Sequence, residues 1–258
     1  MWTDRTRMLV GDEGLARLAA SRVMVVGLGG VGAMAAEMTA RAGVGHMLIL
    51  DSDTVSDTNK NRQTIAFDST LGRRKTEVVA QRLLDINPGL DLKVIDVYLT
   101  EENVAAMVPL DVDFVIDAID TLSPKLHLIK HCVEGAVPLV SSMGSGAKYD
   151  MTRIRIADLS KSFNCPLAYM VRKKLRKMGV SKGFPVVFSE ELPVESAIVK
   201  MSSEEMEQAC NKKSQVGTIS YLPAAFGLAC AQVALQTLLQ GTLDLSRRGD
   251  SNTRPPRP

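Results

Sequence analysis

The apolar positions of this chain fall into short unbroken runs separated by polar, turn-forming stretches. Val23-Met24-Val25-Val26, His46 to Leu50, Leu92 to Val97, Val112 to Asp117 and Val137 to Ser141 are runs of strand length. Runs without alternation predict strands covered on both faces, as in a parallel sheet. The stretches between them carry helical signals. Val31 to Ala42 is rich in Ala and Met and free of proline, and Gly72-Arg73-Arg74-Lys75 opens an amphipathic segment with Val78, Val79, Leu83 and Leu84. Glu101 to Met107 predicts a short helix, and Ser123-Pro124 starts another through Glu134, with proline in its first turn. Asn87-Pro88-Gly89 and Pro109 mark turns. Ahead of the first strand, Asp12 to Ala20 predicts a short helix preceded by Arg5 and Arg7. Strands alternating with helices imply an α/β fold with a mainly parallel sheet and helices on both faces.

The pattern changes after Gly144. Gly144-Ser145-Gly146-Ala147 is a flexible connection, and Arg153 to Ala157 alternates like an antiparallel strand. The expected organisation is therefore a nucleotide-binding domain over 1–145, an α+β elaboration for substrate binding and dimerisation over 146–245, and a disordered Arg-, Pro- and Ser-rich tail over 246–258. From Gln215 to Leu245 the only charged residue is Asp244, and Ile219 to Leu239 is mainly apolar and long enough to cross a bilayer. Gln232, Gln236, Thr237 and Pro223 argue instead for a buried or interface helix. Both readings, core helix and membrane association through 219–239, stay open at this point.

Composition narrows the picture only slightly. The chain has 258 residues, 45% hydrophobic and 23% charged, enough for a substantial core, and a net charge of +2 that selects no partner. Cys132, Cys165, Cys210 and Cys230 have no paired spacing, so the sequence holds no Cys-x-x-Cys zinc motif; no disulfide framework is needed at this size, which fits a reducing, cytoplasmic compartment. His127 and His131 lie four apart on one predicted helix without further ligands at metal-binding spacing, so they are expected on a solvated helix surface.

Candidate chemistry concentrates between Arg22 and Lys75. The first apolar run enters Gly27-Leu28-Gly29-Gly30-Val31-Gly32, where absent Cβ atoms let the backbone turn and approach a ligand. The helix that follows would aim its N-terminal N–H groups at a phosphate. Asp51 ends the second strand nineteen residues past Gly32, where a Rossmann-like fold places an acid on ribose hydroxyls. The polar segment from Asp51 to Gln63 then supplies Asn59, Arg62 and Gln63, with Lys75 close behind, and Asp53 and Asp57 expected only to shape the loop. Several cations after the ribose acid suit ATP, whose phosphates need them, better than a nicotinamide cofactor.

These motifs carry a resemblance. Gly-x-Gly-Gly-x-Gly, then Asp-x-Asp-x-Val-x-x-Thr-Asn-x-x-Arg-Gln, then Gly-x-x-Lys, followed by Asp117-Ala118-Ile119-Asp120, is similar to the ubiquitin-activating-enzyme-like family that adenylates carboxylates. Ile156 to Lys161, Pro166-Leu167, Arg172, Leu175-Arg176 and Val187 to Glu190 look like its tRNA threonylcarbamoyladenosine dehydratase branch, which extends the resemblance to about residue 240. Cys165 departs from that pattern, since the branch usually has an acid there. The resemblance implies a ligase that uses ATP and Mg²⁺, without structural zinc, to cyclise threonylcarbamoyladenosine in tRNA through an acyl-adenylate. The other branch it leaves open adenylates the C-terminal Gly-Gly of a ubiquitin-like sulfur-carrier protein, and a sulfur-relay or carrier-protein partner remains part of the expectation. By the same resemblance Gly27, Gly29, Gly30 and Gly32 seat the phosphates and Asp51 the ribose. Asn59, Arg62, Gln63 and Lys75 hold the triphosphate, and Asp120 takes the Mg²⁺. Arg7 reaches the nucleotide of the other subunit of a homodimer. A further expectation comes from charge: seven Lys or Arg and no acid lie between Lys161 and Lys182, so Arg172, Lys173, Lys174, Arg176 and Lys177 are predicted to face tRNA.

Overall fold

A computed structural model of the protein describes residues 1–200 and 214–242. Cys210, Glu204, Glu205, Glu207 and the 246–258 tail lie outside the described residues. Seven strands form one sheet: β1 (Arg22–Val26), β2 (His46–Asp51), β3 (Asp91–Asp96), β4 (Phe114–Asp117), β5 (Leu139–Ser142), β6 (Ile154–Asp158) and β7 (Pro185–Ser189). Their spatial order is β3-β2-β1-β4-β5-β7-β6, parallel throughout except that β6 runs antiparallel to β7 at the edge. The expected mainly parallel α/β sheet is what forms. Strands of the second half continue the sheet, since β7 pairs directly with β5, so the elaboration is built onto the same layers as the first half.

The unbroken apolar run of β1 is explained by its two faces. Val23 and Val25 point into one core, and Met24 and Val26 into the other. The first core packs against α1 (Asp4–Ala20), α2 (Gly32–Arg41), α3 (Lys75–Ile86) and α7 (Tyr221–Leu238). The second packs against α4 (Val104–Met107), α5 (Leu122–Glu134) and α6 (Pro166–Lys177). Side chains alternating across a strand with both sides covered leave no position free for a polar residue.

Three expectations need correction. The N-terminal helix is not confined to 12–20: α1 starts at Asp4 and is broken at Gly11, whose φ of 75° no other residue type adopts cheaply, so Arg5 and Arg7 ride on helix rather than on a loose lead. α4 begins at Val104 instead of Glu101. His127 and His131 do not lie on a solvated face: both are half-buried, His131 Nε2 sits 2.9 Å from the Val108 carbonyl, and among the described residues no cluster of metal-binding side chains forms. A small antiparallel pair, β8 (Ile198–Lys200) and β9 (Ser214–Val216), carried no recognised sequence signal.

The apolar stretch ending the described chain is α7, and packing accounts for its composition. It lies over the sheet and against α2, burying Leu222, Phe226, Cys230, Ala231 and Ala234. Gly227 makes this possible, because a Cβ there would fall 2.4 Å from the Val31 carbonyl oxygen and 2.9 Å from Met34 Cβ. A helix apolar on nearly all sides is what a central core position selects.

Candidate active site

The carboxyl ends of β1, β2 and β4 meet where the strand order reverses, the place at which open α/β sheets bind ligands. Register brings the chain's motifs together there. Val26 stands beside Leu50 on one side and Asp117 on the other. Gly27 N donates to the Leu50 carbonyl at 2.8 Å, and Ala118 N donates to the Val26 carbonyl at 2.8 Å. The glycine loop is thus pinned between the Asp51 loop and the 118–120 turn.

Two glycines in that loop have no substitute. Gly27 has φ of 88°, and its absent Cβ would meet the Ala118 carbonyl oxygen at 2.8 Å. A Cβ on Gly32 would lie 1.7 Å from the Gly27 carbonyl oxygen, so the first turn of α2 can close under the loop only with glycine. Gly29 borders the Gln63 amide, and Gly30 abuts the Arg62 carbonyl and Pro223 of α7. The four predicted glycines therefore contact the Asp51–Gln63 segment, the 118–120 turn and α7 at once.

Asp51 faces this loop. One carboxylate oxygen accepts from Leu28 N at 2.5 Å and the other from Asp53 N at 2.7 Å. Burial pushes its carboxyl above the ordinary value of 3.8, against the opposing pull of the Lys75 ammonium and the two amides. Lys75, the first residue of α3, is almost fully buried, and its Nζ donates to Asp53 Oδ2 at 2.7 Å. Asp53, expected only to shape the loop, is thus the partner that holds Lys75 beside Asp51. The Asp-x-Asp spacing was visible in the sequence, but which acid faces Lys75 was not.

The rest of the polar segment folds over the site. Arg62 donates to the Thr58 carbonyl at 2.8 Å and to Asn61 Oδ1 at 2.9 Å. Asn59 is buried and uses its side-chain oxygen on Ser56 N at 3.1 Å, capping the 57–59 turn. Gln63 is buried with Oε1 lacking a hydrogen-bond partner. An orphaned buried acceptor beside a glycine loop is costly unless something fills the space in front of it. Asn61 Nδ2 donates to the Thr218 carbonyl at 2.9 Å, tying this segment to the lead-in of α7.

On the other flank, Asp117 and Lys125 form a pair without solvent exposure, 2.6 Å apart. Lys125 also donates to Ser141 Oγ and the Ser142 carbonyl, and Ser141 donates to Asp117 at 2.5 Å. The second Asp117 oxygen accepts from Ile119 N at 3.1 Å, which sets the turn that presents exposed Asp120. Sequence reading missed Lys125, because one lysine in a helix carries no signal of what its tip reaches. A second missed group lies beyond β5 and β7. Lys148 is buried and donates to the Ser189 carbonyl, and Glu191 accepts from the backbone N–H of Tyr149 and Asp150. Burial draws the Lys148 ammonium below its ordinary value.

Two predicted groups are not brought to the glycine loop. Arg7 makes exposed ion pairs with Asp4 and Asp12 at 3.3 and 3.7 Å, on a helix whose Thr3 and Leu15 pack beside Gly43, at the far end of α2. The basic segment lies on α6, whose N-cap Cys165 sits by Gly144 after β5 while the helix runs along the domain surface. Lys173, Lys174, Arg176 and Lys177 are exposed there, whereas Arg172 is partly spent on the Ser162 carbonyl at 2.7 Å. Cys165 is buried and makes no side-chain capping bond, so the thiol leaves unused the N-cap where an acid would accept backbone N–H groups.

The geometry agrees with comparisons to known proteins. The pattern of the ThiF family matches residues 3–252. The chain is 40% identical over 238 residues to the tRNA threonylcarbamoyladenosine dehydratase of Bacillus subtilis (strain 168), covering 92% of this chain and 94% of that protein. It is 36% identical over 253 residues to the dehydratase of Escherichia coli (strain K12), with the same coverage of each. The crystal structure of the E. coli tRNA N6-threonylcarbamoyladenosine dehydratase in complex with ATP superposes with a TM-score of 0.83 at 34% identity, over 95% of this chain and 96% of that one. The chain belongs to the ThiF family, in the branch that contains these tRNA threonylcarbamoyladenosine dehydratases.

Proposed function

We propose that the chain catalyses ATP-dependent cyclisation of threonylcarbamoyladenosine in tRNA. The observation that carries this reading is Lys75: an almost buried ammonium held by one exposed aspartate, beside the ribose acid Asp51 and the glycine loop. A cation so placed suits a triphosphate, and the full-length likeness to dehydratases supplies the substrate.

Carboxylates are poor electrophiles, so the reaction must first create a leaving group. The threonyl carboxylate forms a bond to the α-phosphorus of ATP and pyrophosphate departs. The carbamoyl nitrogen then attacks the activated carbonyl carbon, closes the ring, loses its proton and releases AMP. Positioning and charge stabilisation suffice, without a protein nucleophile. In this reading Gly27, Gly29, Gly30 and Gly32 leave room for the phosphates, and Asp51 accepts from the ribose. Lys75, Arg62, Asn59 and Gln63 stabilise the triphosphate and the departing pyrophosphate. Asp120 offers one exposed carboxylate, the donor set that suits Mg²⁺ held mostly by phosphate oxygens and water, and the ion would neutralise phosphate charge.

Two further parts of the reading rest on surface features. Arg7 lies away from the glycine loop of its own chain, among exposed Trp2, Met8 and Leu9, which supports a homodimer in which Arg7 serves the partner's nucleotide. The exposed lysines of α6 support tRNA backbone binding. Free, buried Cys132, Cys165 and Cys230 fit a reducing cytoplasm. The second reading, adenylation of a carrier protein's Gly-Gly, loses support because the carrier-adenylating members that the motifs resemble typically carry two Cys-x-x-Cys pairs for structural zinc, and this sequence has none.

The deciding experiment offers the purified protein ATP with either tRNA carrying threonylcarbamoyladenosine or a ubiquitin-like carrier ending in Gly-Gly. AMP release with the tRNA, and a nucleoside lighter by one water, is the expected result. Adenylation of the carrier with no change in the tRNA would overturn the assignment.

A further inference from the structure

Four aromatic side chains border the carboxyl end of the sheet, and each is substantially exposed: Tyr149 at 64%, Tyr169 at 55%, Phe163 at 46% and Tyr221 at 44%. Hydrogen bonds tie together the segments that carry Tyr221, Tyr149 and Phe163, and Tyr169 follows in the first turn of α6. Tyr221, at the start of α7, donates its hydroxyl to the Tyr149 carbonyl at 2.5 Å. The Tyr149 and Asp150 amides are held by Glu191, and the neighbouring Glu190 carbonyl accepts from Asn164 Nδ2 at 2.8 Å. Asn164 stands in the left-handed region, with φ of 51°, between Phe163 and the start of α6. Phe163 meets Phe188 edge-on with centroids 5.4 Å apart, which fixes its ring while leaving part of it open.

The two ends of this track differ in chemistry. At one end, Tyr221 is two residues from Pro223, whose Cβ lies 2.9 Å from where a Gly30 Cβ would be, so the track begins at the glycine loop. At the other end, Tyr169 shares the solvent face of α6 with Lys173, Arg176 and Lys177, opposite buried Ala168, Val171 and Leu175. A row of open rings running from a phosphate-binding loop to a strip of cations matches an extended polyanion whose bases are unstacked. Paired RNA hides its base faces, whereas a single-stranded loop offers them for stacking.

Resting on the function proposed above, we infer that Tyr149, Tyr221, Phe163 and Tyr169 form a stacking track for a single-stranded stretch of the tRNA around the modified adenosine. The lysines of α6 hold its backbone, and Tyr149 and Tyr221 seat the modified base next to the glycine loop. The rings supply affinity for bases and the lysines affinity for phosphates, so the two contributions respond differently to salt.

That difference defines the test. Binding of a fluorescent RNA stem-loop carrying threonylcarbamoyladenosine in its loop is measured across a salt series for the parent, Tyr149→Ala, Tyr169→Ala and the corresponding Phe variants. Both tyrosines are exposed, so the variants should fold, and unchanged ATP binding verifies it. Each Ala variant should bind about tenfold more weakly with the parent's salt slope, while the Phe variants bind like the parent. Ala variants that bind as tightly as the parent would overturn the track, as would Phe variants as weak as Ala. So would a change in oligomeric state in place of RNA affinity, since a second copy of the chain would then cover the rings. Cyclisation by the parent is assayed alongside. A parent that binds the loop without cyclising it sinks the proposed function and leaves the track standing; a parent that cyclises while its Ala variants bind normally does the reverse.

Discussion

Lys75 and Lys125 occupy matching places on either side of β1. Each lies in the first turn of a helix, and each meets an aspartate at or just past the end of a strand. Both side chains are buried, yet they are held differently. Lys125 satisfies all three protons on Asp117, Ser141 and Ser142, inside a cage with no exposure. Lys75 has Asp53 alone as a hydrogen-bond partner among the described residues, and that aspartate is 65% exposed. A lysine whose donors are all spent ties elements together. One with donors in reserve beside a glycine loop is ready for a ligand.

The largest expected effect tests the first half of that contrast. Lys125→Met strands the Asp117 carboxylate in the core and should cost about 3–5 kcal/mol of stability in urea unfolding, part of it regained when Asp117→Asn is added. Lys75→Met should cost under about 1 kcal/mol, because Asp53 can turn to water. Equal losses in the two variants would erase the distinction. Catalysis should show the opposite ranking of roles. Lys75→Ala and Arg62→Ala should leave the fold intact and reduce pyrophosphate exchange by about 100-fold or more, the scale of losing one preorganised donor. Near-normal exchange in either would remove that residue from the site.

Further tests sharpen the boundary between the proposed nucleotide flank and the proposed RNA surface. Reversing Lys173, Lys174 and Lys177 to Glu should raise the Michaelis constant for tRNA several-fold, about one phosphate contact per lysine, and flatten its salt dependence. ATP affinity should not change. Asp51 gives a pH signature. Its carboxyl is held above 3.8 by burial, so the ionised form, which in the proposed function accepts from ribose, is lost earlier, as pH falls, than that of an exposed aspartate would be. ATP binding should therefore weaken on mild acidification, and Asp51→Asn should bind weakly with no such acid limb. The smallest effect is expected from the thiols. Burial pushes Cys132 and Cys230 up to about 12, so both stay protonated at neutral pH. Cys132→Ser, Cys165→Ser, Cys210→Ser and Cys230→Ser should each retain cyclisation; loss of turnover with intact ATP binding would point to a thioester or persulfide step.

Much of the first half was legible because its signals are local. The β1 run, the glycines and the spacing to Asp51 report on neighbours in the chain, and parallel pairing of β1 with β2 follows almost directly. Asn59 shows where locality ends. Its place in the motif was plain, but its side-chain oxygen caps the turn at Ser56, a use decided by the local fold of a polar loop. The His127 and His131 pair was read as solvated from helical spacing alone, and the contact of His131 with the Val108 carbonyl came from a segment 23 residues away.

By itself, the sequence determined the α/β class, the identity of the glycine loop and the acid and cations that follow it, because strand-length apolar runs and glycine positions encode burial and backbone approach one element at a time. The tertiary structure decided which aspartate holds Lys75, that Lys125 is a strut, and that α7 is apolar because Gly227 lets it lie against α2. It also placed Arg7 away from its own loop and tied together the segments that carry Tyr221, Tyr149 and Phe163. Each of these depends on atoms distant in sequence meeting within a few ångströms, and side-chain hydrogen bonds and close packing are short-ranged, so only the assembled sheet could select them.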